Sequence, residues 1–592
     1  MLEKTGNNQT VSHPYRYTFG FLIVLAIGAL FLFSNLGDRA LWDDEAQNAL
    51  MARQVLKFGL PMFKGELNVP TDRQDLSDFN EDKVFIWNTW LPYYLTAASF
   101  VCLGESEWSA RLPFALSGLL SIFLLYRLGL RLFSRNPWLP LLAVLMLVLL
   151  VPFLLHMRQC RYYGLITLGT LWMLWGYLDL LKEKRFGWLH VAGGGILCFH
   201  SFYAVAGLNL ASIWIHSGWR ERRPQVMRGL GLATLLIMLS ALPSVLYMRL
   251  WNRPDEDALT LFRIGRSVWV YLLWINGFLV PLGLPVIAAI LHKTKGWPLL
   301  SCAYIFFLAG AAVNAEYVQL LILALMALAL FMFILYSGYS RKKYAINDET
   351  IEFRRFTGVL AVFVPLYIIV MSTASPYPFY RYISPLIPLV MLFSAYLIVD
   401  IFQRTRVAGL LLLILLLTSN LLAAFPLKAF ETLISPGKNS RQVYSLSPRE
   451  IWRWTSFRSD MQSFFFEITH NITDPEKAVV SYFKKHGTDK HVVKASYGDI
   501  SLMFYLPGMR VISRWNSNGG IPDYVIVRRP YPLLQDLGFL DRVRGIGYQA
   551  EALTVPDIVW SNNPDPMFHV YKMPEGGNYL NIFRNTGSIG TK

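Results

Sequence analysis

The sequence predicts an α-helical polytopic membrane protein with a smaller external α/β domain at its C-terminal end. Three observations predict it. Hydrophobic residues make up 54% of the 592 positions and charged residues only 16%, against about 25% charged in ordinary soluble domains. Charge-poor runs of about 18–25 residues, the length a helix needs to cross a bilayer, recur along the first two thirds of the chain. After Leu427 such runs stop. The low charge and abundant aromatics exclude a disordered chain, and Gly and Pro without a period exclude a collagen-like one. Cys102, Cys160, Cys198 and Cys302 lie far apart with no CxxC pair, so they read as small apolar filler and not as a disulfide or metal framework.

The formal net charge is +16, from 55 Lys and Arg against 39 Asp and Glu. The positive residues sit in short clusters between apolar runs. That is the pattern of cytoplasmic loops under the positive-inside rule and not of a nucleic-acid-binding face.

The elements follow in order. Residues 19–36 form the first span, too long for a signal-peptide core and without a small-residue cleavage site. Lys4 and Arg16 precede it and put the N-terminus in the cytoplasm. Residues 37–111 are then the first external loop. Span 112–126 returns to Arg127, Arg131 and Arg135, span 138–155 goes out, and span 162–177 returns to Lys182, Lys184 and Arg185. The stretch 186–219 must hold two short spans, because Arg220, Arg222 and Arg223 are again on the inside. Spans 229–248, 267–291, 296–315, 317–340, 357–380, 382–399 and 407–427 complete about thirteen crossings, each inner loop carrying Lys or Arg. The membrane domain is therefore 1–427 and the external domain 428–592. Within the latter, Pro475–His486 reads as a helix capped by Asp474. Residues 491–494, 510–513 and 524–527 read as β-branched strands.

Three clusters are candidates for chemistry. The first external loop opens with Leu41-Trp42-Asp43-Asp44-Glu45-Ala46. These acids either solvate the end of the first span or supply a carboxylate at the membrane boundary, where desolvation favours proton uptake. The second is Arg158-Gln159-Cys160-Arg161-Tyr162-Tyr163, at the outer end of the third span. Two arginines on the outer side fall outside the positive-inside rule. They either snorkel to lipid headgroups or hold a phosphate through forked hydrogen bonds. The third is Tyr377-Pro378-Phe379-Tyr380-Arg381-Tyr382, again an arginine among aromatics on the outer side. Acids and arginines from three distant segments thus share one membrane face.

These segments resemble a known family. Asp44-Glu45-Ala46, Ala52-Arg53-Gln54-Val55-Leu56-Lys57-Phe58-Gly59 and Gly104-Glu105-Ser106-Glu107-Trp108-Ser109-Ala110-Arg111-Leu112-Pro113 look like the first-loop signature of GT-C fold, polyprenyl-phosphate-sugar-dependent glycosyltransferases. That superfamily includes the protein O-mannosyltransferases and the lipid A aminoarabinose transferase. Arg158 to Tyr163 and Arg381-Tyr382-Ile383-Ser384-Pro385 are also similar to it. The resemblance implies inverting transfer of a sugar from a polyprenyl-phosphate donor to lipid A, another glycan or a protein, on the outer face of the plasma (bacterial inner) membrane. The C-terminal domain would then be periplasmic. Asp44 matches the family's catalytic acid, with Glu45 its neighbour in the motif, and Arg158, Arg161 and Arg381 would neutralise the departing phosphate. Asp43, Lys83, Tyr162 and Tyr382 are further candidates for substrate binding. No metal or other cofactor is expected to be essential, although Asp43, Asp44 and Glu45 are of the type that binds a divalent ion. The stretch Asn80-Glu81-Asp82-Lys83-Val84-Phe85 departs from the family's Glu-Lys-Pro-Pro. Two other readings stay open from the residues alone. One is a transporter or lipid flippase, disfavoured because the charges cluster at one boundary and not at mid-membrane. The other is a non-catalytic glycan-binding or assembly protein. No nucleic-acid partner is expected.

Overall fold

A computed structural model describes residues 14–71, 76–251, 260–279, 282–293, 296–312, 348–374, 378–416, 461–471, 473–487, 489–495, 498–513, 521–528, 547–554 and 578–586. The expected span 317–340, the outer part of span 407–427 and Tyr377 lie outside the described residues.

The chain begins with the apolar helix α1 (Pro14–Phe33). The segment 37–106 follows and contains α2 (Asp43–Phe58) and α3 (Leu91–Leu103). The bundle continues with α4 (Glu107–Leu132), α5 (Trp138–Val148), α6 (Val151–Met157), α7 (Tyr163–Leu181), α8 (Gly187–Ser201), α9 (Tyr203–His216) and α10 (Pro224–Met248). After these come α11 (Leu261–Trp274), α12 (Gly283–Leu291), α13 (Trp297–Ala312), α14 (Asp348–Ala374), α15 (Ile387–Arg404) and α16 (Arg406–Leu416).

Local chemistry sets many of these boundaries. α2 stops at Gly59, whose φ of 75° is the left-handed value that suits glycine at a helix end. α4 starts in a capping box: Ser106 Oγ accepts from the Ser109 amide, and Ser109 Oγ accepts from the Ser106 amide. Prolines occupy the first turn of α3, α6, α10 and α15, where their missing N–H costs nothing. α5 and α6 meet at a 69° bend at Leu149–Leu150, so the apolar run expected as one span, 138–155, is not one straight helix. The stretch 186–219 does hold two short helices, α8 and α9, separated at the extended Phe202.

α7 and α8 pack closely because glycines face each other. A Cβ on Gly176 would lie 2.5 Å from the Val191 amide nitrogen, and one on Gly194 would lie 2.5 Å from that of Met173. Close backbone approach through small residues is the usual way to pack helices where lipid removes the hydrophobic drive. Among the described residues, five helices are long and apolar enough to cross a membrane, or six if the bent α5–α6 pair is one span. The chain is an integral membrane protein. The full set of about thirteen crossings expected from the sequence is not established by these lengths, because several helices are short and one expected span lies outside the described residues.

The C-terminal part contributes α17 (Met461–Thr469), α18 (Pro475–His486), α19 (Asp499–Tyr505) and a five-stranded sheet. Asp474 caps α18 by accepting from the Lys477 amide at 2.8 Å. The strands are β1 (Val492–Ala495), β2 (Arg510–Ile512), β3 (Tyr524–Arg528), β4 (Tyr548–Thr554) and β5 (Asn578–Asn585), in the order β2-β1-β3-β5-β4. β1 pairs in parallel with β2 and β3, while β5 runs antiparallel to β3 and β4. One apolar core fills the bundle. A second core joins Leu41, Leu50, Phe79 and Phe85 of the loop after α1 to Phe483, Val493, Ile500 and Tyr524 of the C-terminal part. The loop that carries the acidic cluster is therefore built into the C-terminal unit.

Candidate active site

The three acids of the first loop occupy the first turn of α2. Carboxylates are favoured there by the unpaired amides of a helix start. Successive helical residues point about 100° apart, and the three carboxylates accordingly find three different partners. Asp43 points to the C-terminal part, where its two oxygens accept from the amides of Gly498 at 2.7 Å and Ser501 at 3.2 Å. Glu45 points into the bundle, 1% exposed, and forms a forked pair with Arg111 at 2.8 and 2.7 Å. It also accepts from the Cys160 amide at 2.7 Å. Asp44 points between them, toward Arg161 and Arg381.

Arg161 and Arg381 meet Asp44 in one cleft. Arg161 lies in the turn between α6 and α7, and its Nη2 is 3.5 Å from Asp44 Oδ2. Its Nη1 donates to the Asp44 carbonyl at 3.1 Å. Arg381 stands at the start of a 3-10 turn (Tyr380–Leu386) ahead of α15, with Nη2 3.6 Å from the same Oδ2. The turn is held by Tyr367, whose hydroxyl donates to the Tyr382 carbonyl at 2.7 Å. Aromatic rings wall the site. The Arg381 guanidinium lies 4.2 Å from the Phe379 ring centre, 5.6 Å from that of Trp42 and 5.8 Å from that of Tyr382. Tyr162 and Tyr382 both stack with Phe202, at 4.7 and 6.4 Å. Two guanidiniums face one carboxylate, so the cleft holds an excess positive charge among low-dielectric walls. Asp44 Oδ2 and Arg161 Nε are both buried without a hydrogen-bond partner among the described residues. Buried polar atoms of this kind point to a missing partner.

Other candidates from the sequence have other partners. Arg158 caps α1: its Nη1 donates to the carbonyls of Phe31, Leu32 and Ser34 at 2.7, 3.0 and 2.9 Å, the orphan acceptors of a helix end. Lys83 sits in the tight turn 80–84 with φ of 59°. Among the described residues no ion pair joins it to Asp44. Asp43, Asp44 and Glu45 diverge and do not converge on one ion. No group of three or more His, Cys, Asp or Glu placed to hold a metal occurs among the described residues. Sequence reasoning did not single out Arg111, Trp42 or Phe202. A cation at the start of an apolar helix was the available signal for Arg111, whereas Phe202 is one aromatic in an apolar run. Behind the site, Cys160 is fully buried. Burial, reinforced by the charge of Glu45, pushes its thiol up to about 12.

Residues 88–247 match the family model for dolichyl-phosphate-mannose-protein mannosyltransferases. The stretch runs from just before α3 into the end of α10. It includes Arg161, while Asp44 lies upstream and Arg381 downstream. The crystal structure of ArnT from Cupriavidus metallidurans bound to undecaprenyl phosphate superposes with a TM-score of 0.50, covering 97% of this chain and 99% of that one at 13% sequence identity. This chain has the GT-C fold. The apo crystal structure of the same ArnT gives 0.49 at 11% identity, over 98% of this chain and 100% of that one. No curated protein matches the sequence. The resemblance read from the first-loop motifs to GT-C, polyprenyl-phosphate-sugar-dependent glycosyltransferases is thus borne out by a matching family model and a matching fold.

Proposed function

We propose that this GT-C protein transfers a sugar from a polyprenyl-phosphate donor to a lipid, glycan or protein acceptor on the outer face of the membrane, with inversion. The observation that carries the proposal is the meeting of Asp44, Arg161 and Arg381 in one aromatic-walled cleft. The excess positive charge suits a singly or doubly charged phosphate. The unpartnered Arg161 Nε supplies a donor for it, and the unpartnered Asp44 Oδ2 supplies an acceptor for a proton. The mannosyltransferase family match and the undecaprenyl phosphate named for the similar ArnT structure support the same chemistry.

In the proposed step the acceptor hydroxyl oxygen bonds to the anomeric carbon as the bond from that carbon to the phosphate oxygen breaks. The electron pair leaves with the polyprenyl phosphate, and the hydroxyl proton passes to Asp44 Oδ2. Charge develops on the leaving phosphate, where Arg161 and Arg381 stand ready and unmoved. Glu45 and Arg158 support this geometry from behind and do not touch the substrate. The two guanidiniums do the work a divalent ion would otherwise do, so transfer proceeds in EDTA.

The test is transfer from radiolabelled polyprenyl-phosphate sugars by the purified full-length protein in lipid nanodiscs. Asp44→Asn is expected to lower the rate by about 100-fold or more, the range of a lost general base. Transfer at the wild-type rate by Asp44→Asn removes Asp44 from the reaction.

A further inference from the structure

The first turn of α2 is held from outside. Its cap position is Trp42, which makes no side-chain capping hydrogen bond. A helix start without a cap frays unless something else satisfies it. On one side the bundle grips it: Arg111 donates to the carbonyls of Leu36, Arg39 and Ala40 and pairs with Glu45. On the other side the C-terminal part grips it, one residue after another. The Ala40 amide donates to Asp474 Oδ2 at 3.0 Å. The Leu41 amide donates to the Tyr505 hydroxyl at 2.8 Å, and the Leu41 carbonyl accepts from Ser501 Oγ at 2.7 Å. Asp43 then accepts from the amides of Gly498 and Ser501.

Asp44 stands between these two grips. Among the described residues its carboxylate makes no hydrogen bond through Oδ2, and its ion pairs are at the long distances of 3.5 and 3.6 Å. No described side chain holds Asp44 Oδ2 by a hydrogen bond, so its direction is set chiefly by the backbone of residues 40–45. We propose that Asp43 is a positioning residue, through which the C-terminal unit sets the aim of Asp44 at the reacting hydroxyl. This rests on Asp44 being the base, and it gives the C-terminal unit a part in catalysis without contact with the donor. Neighbouring acids then divide the labour, one anchoring and one reacting. A base displaced by about 1 Å loses much of its effect on rate, while a phosphate held by Arg161 and Arg381 is untouched.

The test uses Asp43→Asn, and Tyr505→Phe as a second route to the same loss, in the full-length protein in nanodiscs. Asp43→Asn replaces one acceptor oxygen by a donor, and Tyr505→Phe removes the acceptor of the Leu41 amide while keeping the ring. Three readouts are taken: amide hydrogen exchange of residues 40–47, affinity for undecaprenyl phosphate, and kcat and KM for transfer from a radiolabelled undecaprenyl-phosphate sugar. Each variant is expected to exchange at residues 40–47 about tenfold faster and to lose about tenfold in kcat. Affinity and donor KM should stay within twofold of wild type, and the double variant should lose less than the product of the two. Unchanged exchange at 40–47, or a wild-type kcat in Asp43→Asn beside an active wild type, overturns the proposal. Equal losses of donor affinity also overturn it, since Asp43 would then act on the donor site. A wild type that transfers no sugar defeats the reading of Asp44 as a base, whereas the exchange result still decides whether Asp43 clamps the turn.

Discussion

Asp43, Asp44 and Glu45 are one motif in the sequence and three unrelated parts in the fold. The helical step of about 100° sends each to a different neighbour, which no spacing rule reveals without knowing what packs around α2. Glu45 and Arg111 form a buried forked pair, and removing one partner leaves a buried charge. Glu45→Ala is therefore expected to destabilise the protein by about 3–5 kcal/mol, measured as a lowered midpoint of thermal unfolding in detergent. Cys160 gives the pH dependence at this scale. Its thiol is pushed up to about 12 by burial and by Glu45, against about 8.5–9 in the unfolded chain. The unfolded state therefore loses the proton first, so this group's contribution to stability is intact below pH 9 and declines as the pH rises toward 12. In the folded protein at pH 8 Cys160 should resist iodoacetamide and react only after unfolding, as mass spectrometry of the alkylated peptide would read out. Ready labelling of folded protein would contradict that environment.

At the scale of elements, much was legible. The helix Pro475–His486 and its Asp474 cap follow from local rules and occur as read. So do the cores of β1, β2 and β3. The stretch 186–219 was read from charge as two short spans, and two short helices, α8 and α9, occur there. β4 and β5 were not foreseen, because β5 completes the sheet through pairing with β3 that lies far away in sequence. The bend between α5 and α6 was also missed, since an apolar run carries no mark of where it breaks, although Pro152 just beyond it suits a helix start. Two element-scale substitutions test the packing. Gly194→Leu forces a side chain onto the α7 backbone and is expected to cost about 1–3 kcal/mol in unfolding free energy. Ser106→Ala removes one half of the α4 capping box and is expected to cost about 1 kcal/mol. Unfolding midpoints equal to wild type would show that these contacts are not made.

Across the whole molecule, the decisive feature is that the loop after α1 and the C-terminal part share a core. The sequence suggested two domains with a boundary after Leu427. It carried no signal that Leu41 and Phe85 pack with Phe483 and Tyr524, because hydrophobic pattern specifies burial and not partner. The placing of Asp44, Arg161 and Arg381 in one cleft was legible as a shared membrane face from the positive-inside rule. The hydrogen bonds of Arg158 to the end of α1 were not, since they depend on tertiary packing. The account stands on that cleft as a phosphate site with a base beside it. The most direct measurement is the affinity of undecaprenyl phosphate for the full-length protein and for two variants. Arg381→Ala is expected to bind about 10–100-fold more weakly, the loss of a charge-assisted hydrogen bond of about 1.5–3 kcal/mol. Asp44→Asn is expected to bind at least as tightly as wild type, because the competing carboxylate is gone, while transferring sugar about 100-fold or more slowly. Equal binding by Arg381→Ala, or weaker binding by Asp44→Asn, would contradict the account.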